Sequence, residues 1–257
     1  MIKRLLIVAL LLLVNITVLL AQKKDKKADI DHSRLSTDST EQISTFKNPA
    51  SISKPSRDFL MLQFNYNNWI QKPDSIKTKG FGYGFNGYLC YDFPIKKSKL
   101  SFATGLGVNV SVVYLNQQVM RVSDTGVYGY QAHFVPDAID SQFKRYKVTT
   151  TYLTAPFELR YFSNMQNRNK GFKAAIGMQI GTLLGASTKA VTTVEGVTVK
   201  YKTDTKRYMS AWNFAATARV GYGNITLFGS YNLTNVFKDN AGPTITPAAV
   251  GICFTGL

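Results

Sequence analysis

Apolar and polar residues alternate with a period of two along most of the chain beyond residue 58. The run 81–93 is apolar at every second position apart from Gly87, and the run 100–114 repeats the pattern. Such alternation predicts β-strands, and these two runs are longer than the usual strand of a globular protein. Shorter runs of the same kind bring the predicted strands to eight, at 60–68, 81–93, 100–114, 152–161, 172–184, 212–222, 225–233 and 248–254.

The two faces of these strands differ in a way that predicts a barrel in a membrane. One face is apolar and ends in Tyr, Phe and Trp, whereas the other is small, polar and rich in glycine, as at Gly82, Gly84 and Asn86. A transmembrane barrel turns its apolar face to lipid and places aromatic residues at both interfaces. We therefore predict an all-β fold, an eight-stranded antiparallel up-and-down transmembrane β-barrel over 58–257. An exported soluble β-barrel or sandwich is the alternative, since such a fold turns its apolar face to a core.

The gaps between the predicted strands give an independent indication of the same fold. The odd-numbered gaps are longer than their even-numbered neighbours. Long outer loops alternating with short periplasmic turns are typical of outer-membrane barrels. The predicted outer loops are 70–79, 116–145, 185–207 and 234–247, and the predicted periplasmic turns are 94–99, 163–171 and 223–224.

The first 21 residues have the pattern of an export signal. Lys3 and Arg4 precede the apolar run 5–20, and the small residue Ala21 precedes Gln22. This order predicts a secretory signal peptide at 1–21, cleaved before Gln22; an uncleaved anchor helix is the alternative. Residues 22–57 are polar and lack periodicity, which predicts a flexible periplasmic lead-in. The predicted location is therefore the outer membrane, reached through the periplasm.

Composition narrows the chemistry that the protein can perform. The 257 residues include 31 Lys and Arg against 15 Asp and Glu, a formal net charge of +16, but only two Cys and two His. So few Cys and His argue against a Cys/His metal site or a disulfide framework, and we expect no metal and no cofactor. The basic residues are dispersed and match no nucleic-acid-binding motif, so nucleic acid is not an expected partner.

Several segments resemble the small outer-membrane β-barrel family of Bacteroidota, the porin-like or PorT-like group. They are the Ala21-Gln22 junction, Tyr152-Leu153-Thr154-Ala155-Pro156-Phe157-Glu158-Leu159-Arg160-Tyr161, Gly177-Met178-Gln179-Ile180-Gly181, and the closing pair 227–235 and 249–255. The resemblance covers 58–257 and implies an eight-stranded barrel in the outer membrane. It implies no reaction.

Strand parity places a small set of charged side chains inside the predicted barrel. Glu158 and Arg160 share the lumen face of one strand, and Arg219 faces the lumen from another. A buried carboxylate needs a partner, so we expect a lumen charge network of these three residues and a packed lumen rather than a pore. Cys90 and Cys253 also point inward, on strands separated by one other strand, and we expect two free, shielded thiols because that spacing exceeds disulfide reach.

Basic residues of the predicted outer loops lie near strand ends, where lipopolysaccharide phosphates would be within reach. The candidate lipopolysaccharide contacts are Lys144, Arg145, Lys147, Lys200, Lys202, Lys206 and Arg207. The other expected partners are outer-membrane lipid and, through the lead-in, further outer-membrane or periplasmic proteins.

Three functions follow from these observations. The first is a monomeric, non-enzymatic barrel that acts structurally or binds through loops 116–145 and 185–207. The second, suggested by the resemblance, is an accessory subunit of an outer-membrane secretion or assembly complex. The third is a lipid A-modifying barrel enzyme, for which the loop residues are His133, Asp137, Asp140 and Ser141, although no spacing motif joins them into a triad.

Overall fold

The computed structural model describes residues 60–95, 98–124, 129–137, 143–164, 167 and 170–256. The predicted signal peptide 1–21 and lead-in 22–57 lie outside these residues. In the described part no helix is long and apolar enough to span a membrane. The strands are β1 (Leu60–Gln71), β2 (Tyr83–Pro94), β3 (Leu100–Leu115), β4 (Gln118–Asp124), β5 (Tyr130–Pro136), β6 (Arg145–Phe162), β7 (Phe172–Val194), β8 (Val197–Asp204), β9 (Trp212–Tyr222), β10 (Ile225–Asn232) and β11 (Thr246–Thr255), with a 3₁₀ turn at Lys206–Tyr208.

Eight of these strands close into the predicted antiparallel barrel. The order around the ring is β1, β2, β3, β6, β7, β9, β10 and β11, and β11 pairs with β1 to close it. Every barrel strand pairs with both of its neighbours in an antiparallel ladder. A ring of this kind leaves no strand edge exposed to lipid. The predicted all-β, eight-stranded up-and-down fold is confirmed.

Alternation of side chains gives the barrel an apolar outside and a small, polar inside. The outward face carries a belt that includes Leu106, Ile176 and Leu227, all more than half exposed to the surroundings. Aromatic residues flank the belt at both of its edges. Those near one edge are Tyr91, Phe93, Phe102, Tyr161, Phe172 and Tyr222, and those near the other are Phe81, Tyr83, Trp212 and Tyr231. This is the belt and the pair of aromatic girdles expected of a barrel in lipid.

Some inward positions require glycine because adjacent strands approach closely. A Cβ atom at Gly105 or Gly107 of β3 would overlap the backbone of β2, at the carbonyl oxygens of Leu89 and Gly87 respectively. Small barrels need strongly tilted and coiled strands, and glycine permits the close backbone approach that results. The glycine-rich inner face seen in the sequence therefore follows from the small circumference.

The two ends of the barrel differ in the length of their connections. The short-turn end carries 95–99, 163–171 and 223–224, and the long-loop end carries 72–82, 116–144, 195–211 and 233–245. The predicted alternation of long and short gaps is therefore present in the fold.

Two predicted outer loops contain strands that the sequence interpretation missed. In 116–145, β4 and β5 pair over their whole length as a hairpin. In 185–207, β7 continues to Val194 and turns back into β8 at Glu195 and Gly196, whose φ angles are 49° and 80°. Positive φ at both turn residues is the signature of a type I′ hairpin. The sequence interpretation missed the extension because a bulge at Leu184 changes which positions of β7 face the lumen. Odd-numbered residues face inward up to Leu183, and even-numbered residues face inward from Ala186 onward.

Candidate functional site: the two ends of the lumen

Four buried charged side chains form a continuous network at the short-turn end. The Arg160 guanidinium donates through Nη1 to Asp92 Oδ1 at 2.9 Å and through Nε to Glu158 Oε2 at 2.8 Å. Arg219 Nη2 donates to the same Glu158 oxygen at 2.6 Å. Arg160 is 1% exposed and Asp92 is fully buried. The charges of two carboxylates and two guanidiniums cancel, and buried charges are tolerated when they are paired in this way.

This charge network crosses the full width of the lumen. Asp92 belongs to β2, Glu158 and Arg160 to β6, and Arg219 to β9. β2 and β9 are four places apart in a ring of eight, which puts them on opposite walls. The side chains therefore bridge the barrel from wall to wall through β6.

The sequence predicted three members of the network and missed one. The structure brings Glu158, Arg160 and Arg219 together. Asp92 was missed as a member, although its parity already placed it on the lumen face of β2. Its partner Arg160 is on β6, and β3 lies between β2 and β6 in the ring. Parity indicates which face of a strand a side chain is on, but not which residue it contacts across the lumen.

An apolar layer with both cysteines lies beside the charges. Cys90 and Cys253 are free and buried, and they pack with Met61, Tyr88 and Phe228. Arg219 Nη1 donates to the Cys253 sulfur at 3.6 Å. The two thiols are shielded from solvent within the lumen.

A polar cavity of about 50 Å³ occupies the lumen on the long-loop side of this layer. Asn67 Nδ2 donates to Ser111 Oγ at 2.9 Å, and Asn86 Nδ2 donates to Gln63 Oε1 at 2.9 Å. The volume is sufficient for a few water molecules. The polar lining comprises Asn65, Asn67, Asn86, Asn109, Ser111, Thr150, Gln179, Asn213, Ser230 and Asn232.

An apolar cluster, here called the cap, covers the cavity at the long-loop end. Strand ends and connections contribute to it together, and Phe134 joins it by stacking edge-on between Trp69 and Phe237 at centroid distances of 5.8 and 5.9 Å. Trp69 and Val236 belong both to the cap and to the cavity lining. The buried members of the cap are Trp69, Ile76, Val113, Leu115, Val119, Ala132, Tyr146, Val148, Tyr152, Leu183, Ala186, Ala190, Met209, Val236, Phe237 and Ile245.

Most of the predicted basic contacts lie on or next to β6 and β8. Arg145 and Lys147 are on β6, Lys200 and Lys202 on β8, and Lys144 directly precedes β6. Lys206 and Arg207 fall in the 3₁₀ turn that follows β8. The sequence interpretation missed Lys189, which lies on the extension of β7 between Lys147 and Lys202.

The candidate enzyme residues are not assembled into a triad by the described part of the structure. His133 is on β5 opposite Arg121 of β4. The Asp137 carboxylate accepts a hydrogen bond from the Phe143 backbone at 2.6 Å. Asp140 and Ser141 lie outside the described residues. Within those residues no group of His, Cys, Asp and Glu is arranged to hold a metal ion.

Comparison with known proteins identifies the family of this chain. The crystal structure of Ail, the attachment invasion locus protein of Yersinia pestis, aligns with 78% of this chain and 99% of its own at 10% identity and a TM-score of 0.32, values that carry no functional information. No curated protein matches the chain. The family model of the outer membrane protein beta-barrel domain matches residues 56–238. The chain therefore belongs to the outer membrane protein beta-barrel domain family and is an integral protein of the outer membrane.

Proposed function

We propose that this protein is a non-enzymatic outer-membrane barrel with a closed lumen that acts by binding through its long-loop end. The single observation that carries the proposal is the double closure of the lumen, by the Asp92–Arg160–Glu158–Arg219 network at one end and by the cap at the other. An eight-stranded barrel is just wide enough for side chains to fill it. With the interior occupied, the surface that remains for a function is the one displayed by the loops.

The connections at the long-loop end are tied to one another, which suits a binding surface. Ala132 N donates to Ala241 O at 2.9 Å, and Asn116 N donates to Lys77 O at 2.8 Å, so separate connections share backbone hydrogen bonds. A surface that is ordered before binding loses less conformational entropy on binding. On this surface a depression of about 310 Å³ is lined by Ser75, Ile76, Gln131, Ala132, His133, Phe134, Gly242 and Pro243.

The other two functions gain no support from the described residues. The accessory-subunit function depends on the lead-in 22–57, which lies outside them. The enzyme function depends on His133, Asp137, Asp140 and Ser141, of which the structure assigns Asp137 a loop-bracing hydrogen bond. Binding by the loops is therefore the function that the geometry supports best.

Electrical recording in planar lipid bilayers tests the closed lumen. The full chain is expected to give no stepwise conductance above that of the bare bilayer, because the network and the cap both obstruct the axis. The variant Arg160→Ala/Arg219→Ala shortens the side chains that close the short-turn end. It is expected to give no stepwise conductance either, because the cap still closes the long-loop end. Stable single-channel steps from the wild-type protein would contradict the proposal.

Affinity purification from native outer membranes in mild detergent tests the binding surface. The wild-type protein is expected to retain a partner that the depression variant Gln131→Ala/His133→Ala retains less well. The lipid-facing variant Met178→Ala is the control, because Met178 lies on the belt away from the loops. Equal retention by all three proteins would locate binding elsewhere.

A further inference from the structure

Three lysines lie side by side on the outward face of the long-loop end. The β6–β7 register pairs Lys147 with Lys189, and the β7–β8 register pairs Lys189 with Lys202. Directly opposite residues on neighbouring strands have Cβ atoms about 4.5–5.5 Å apart. The inward parity of Tyr146, Val148, Thr188 and Ala190, all buried, puts these lysines on the outer face. We call this alignment the lysine row.

Like charges directly opposite one another destabilise a sheet unless an anion neutralises them. Within the described residues none of the three lysines forms an ion pair. Arg145 and Lys200 flank the row on the same face, paired with Val191. Among the described residues of these strands, the acidic residue on this face is Asp204, which accepts a hydrogen bond from the Lys206 backbone at 2.9 Å. The face therefore has an unbalanced positive charge.

The outer face changes composition in three steps from the membrane belt to the lysine row. Along β6 the outward positions are apolar at Leu159 and Leu153, hydroxyl-bearing at Thr151 and Thr149, and cationic at Lys147. β7 has a similar order alongside, with Ile176, Met178 and Ile180, then Thr182 and Ser187 on either side of the exposed Leu184 at the bulge, then Lys189. Acyl chains, a carbohydrate and an anionic group, in that order, would complement this face.

The lysine row continues into the aromatic girdle, which locates it at the membrane interface. Lys147 is opposite Tyr114 of β3. Its Nζ lies 3.4 Å from the Tyr83 hydroxyl and 5.8 Å from the centroid of that ring. Tyrosines of the girdle sit at the headgroup level of a bilayer. The lysine ammonium groups are thus at the depth where a lipid headgroup carries its phosphate.

We infer that the outward face of β6, β7 and β8 binds a phosphorylated glycolipid of the outer leaflet. Acyl chains lie on the apolar belt, sugar hydroxyls meet Thr149, Thr151 and Ser187, and phosphate is held by the lysine row. Lysine binds phosphate as a compact point charge, and three in a line suit more than one phosphate oxygen. The inference concerns a different surface from the loop depression and does not depend on it.

Titration of the full-length, detergent-solubilised protein with lipid A, followed by native mass spectrometry, tests the inference. Each basic residue near an anionic lipid surface contributes enough for about a fivefold change in affinity. The variant Lys147→Gln/Lys189→Gln/Lys202→Gln is therefore expected to bind bisphosphorylated lipid A on the order of 100-fold more weakly. The charge-matched control Lys77→Gln/Arg121→Gln/Lys238→Gln, exposed residues at the same end and off the row, is expected to bind as the wild type does.

Two further ligands identify which part of the lipid is recognised. Dephosphorylated lipid A is expected to bind the wild type as weakly as lipid A binds the row variant. Phosphatidylglycerol, anionic but without the carbohydrate, is expected to bind more weakly than lipid A. Equal binding of lipid A by row variant and wild type, or of all three lipids by the wild type, would overturn the inference. If the triple variant does not fold, Lys202→Gln alone, on the exposed strand β8, is expected to weaken binding about fivefold.

Discussion

At the short-turn end the lumen is filled by charged side chains from three strands, whereas at the long-loop end it is filled by apolar side chains from strands and connections together. Asp92, Glu158, Arg160 and Arg219 are all strand residues whose direction follows from pleat parity. Ile76, Met209, Phe237 and Ile245 of the cap all come from connections. The two closures therefore draw on different parts of the sequence.

The length of the connections explains the difference. A two-residue turn such as 223–224 has no chain to fold over the opening, so long strand side chains must reach across it. Arginine is long enough to do so and presents several donors in a fixed plane, which lets one guanidinium bind two carboxylates. The connection 233–245, by contrast, supplies Val236, Phe237 and Ile245 to the cap. Long connections can bury apolar surface, and burial requires no matching of charges.

The largest effect is expected from breaking the charged closure at its shared carboxylate. Glu158→Ala leaves Arg160 and Arg219 buried with one carboxylate between them, and removing one partner of a buried ion pair costs about 3–5 kcal/mol. Urea unfolding of the protein in lipid vesicles, followed by tryptophan fluorescence, measures the loss. Asp74→Ala removes the same charge from an exposed loop position and is expected to change stability little. Similar losses for the two variants would mean that the network does not hold the barrel together.

A somewhat smaller effect is expected from opening a cavity in the apolar closure. Met209 is fully buried in the cap, and Met209→Ala is expected to cost about 3 kcal/mol through lost burial and the cavity left behind. Met178→Ala makes the same chemical change on the lipid-facing belt, where acyl chains fill the space. The same unfolding measurement should therefore show the smaller loss for Met178→Ala. If the belt variant were the more damaging, the cap would be a loose covering rather than a packed core.

How well each closure could be predicted from the sequence depends on whether strands or connections supply its residues. The eight barrel strands, the inward direction of Glu158, Arg160 and Arg219, and the shielded position of Cys90 and Cys253 all follow from period-two parity. Parity fixes the face of a side chain but not its partner across the lumen. That partner depends on the ring order of the strands and on their stagger, which is why Asp92 was not assigned to the network.

The long-loop end was less predictable because the apolar–polar alternation of its strands is weak and shifts in phase at the bulge. Residues 186–194 contain small and hydroxyl side chains on both faces, so the alternation loses contrast beyond the bulge at Leu184. The Glu195-Gly196 pair was nevertheless a readable turn signal between two β-branched runs, and it would have revealed β8 and Lys189. The cap itself depends on contacts between residues as distant in sequence as Phe134 and Phe237. No local pattern encodes such contacts.

The smallest effect is expected from a change in the Glu195-Gly196 turn. Such a change tests whether the β7–β8 hairpin aligns the lysine row, without altering the charge of the row. Gly196 has a φ of +80°, and a side chain there is strained although it meets open space. Gly196→Ala is therefore expected to cost about 1–2 kcal/mol and to loosen the β7–β8 hairpin while the barrel stays intact. Hydrogen exchange should rise in 187–194 and 197–204 and remain unchanged in β1 and β2. Gly185→Ala is the matched control, because that glycine also faces open space but lacks a positive φ. Exchange that rises equally in both variants would show that the hairpin is held by its flanking strands, and the turn would then have no part in aligning Lys189 with Lys202.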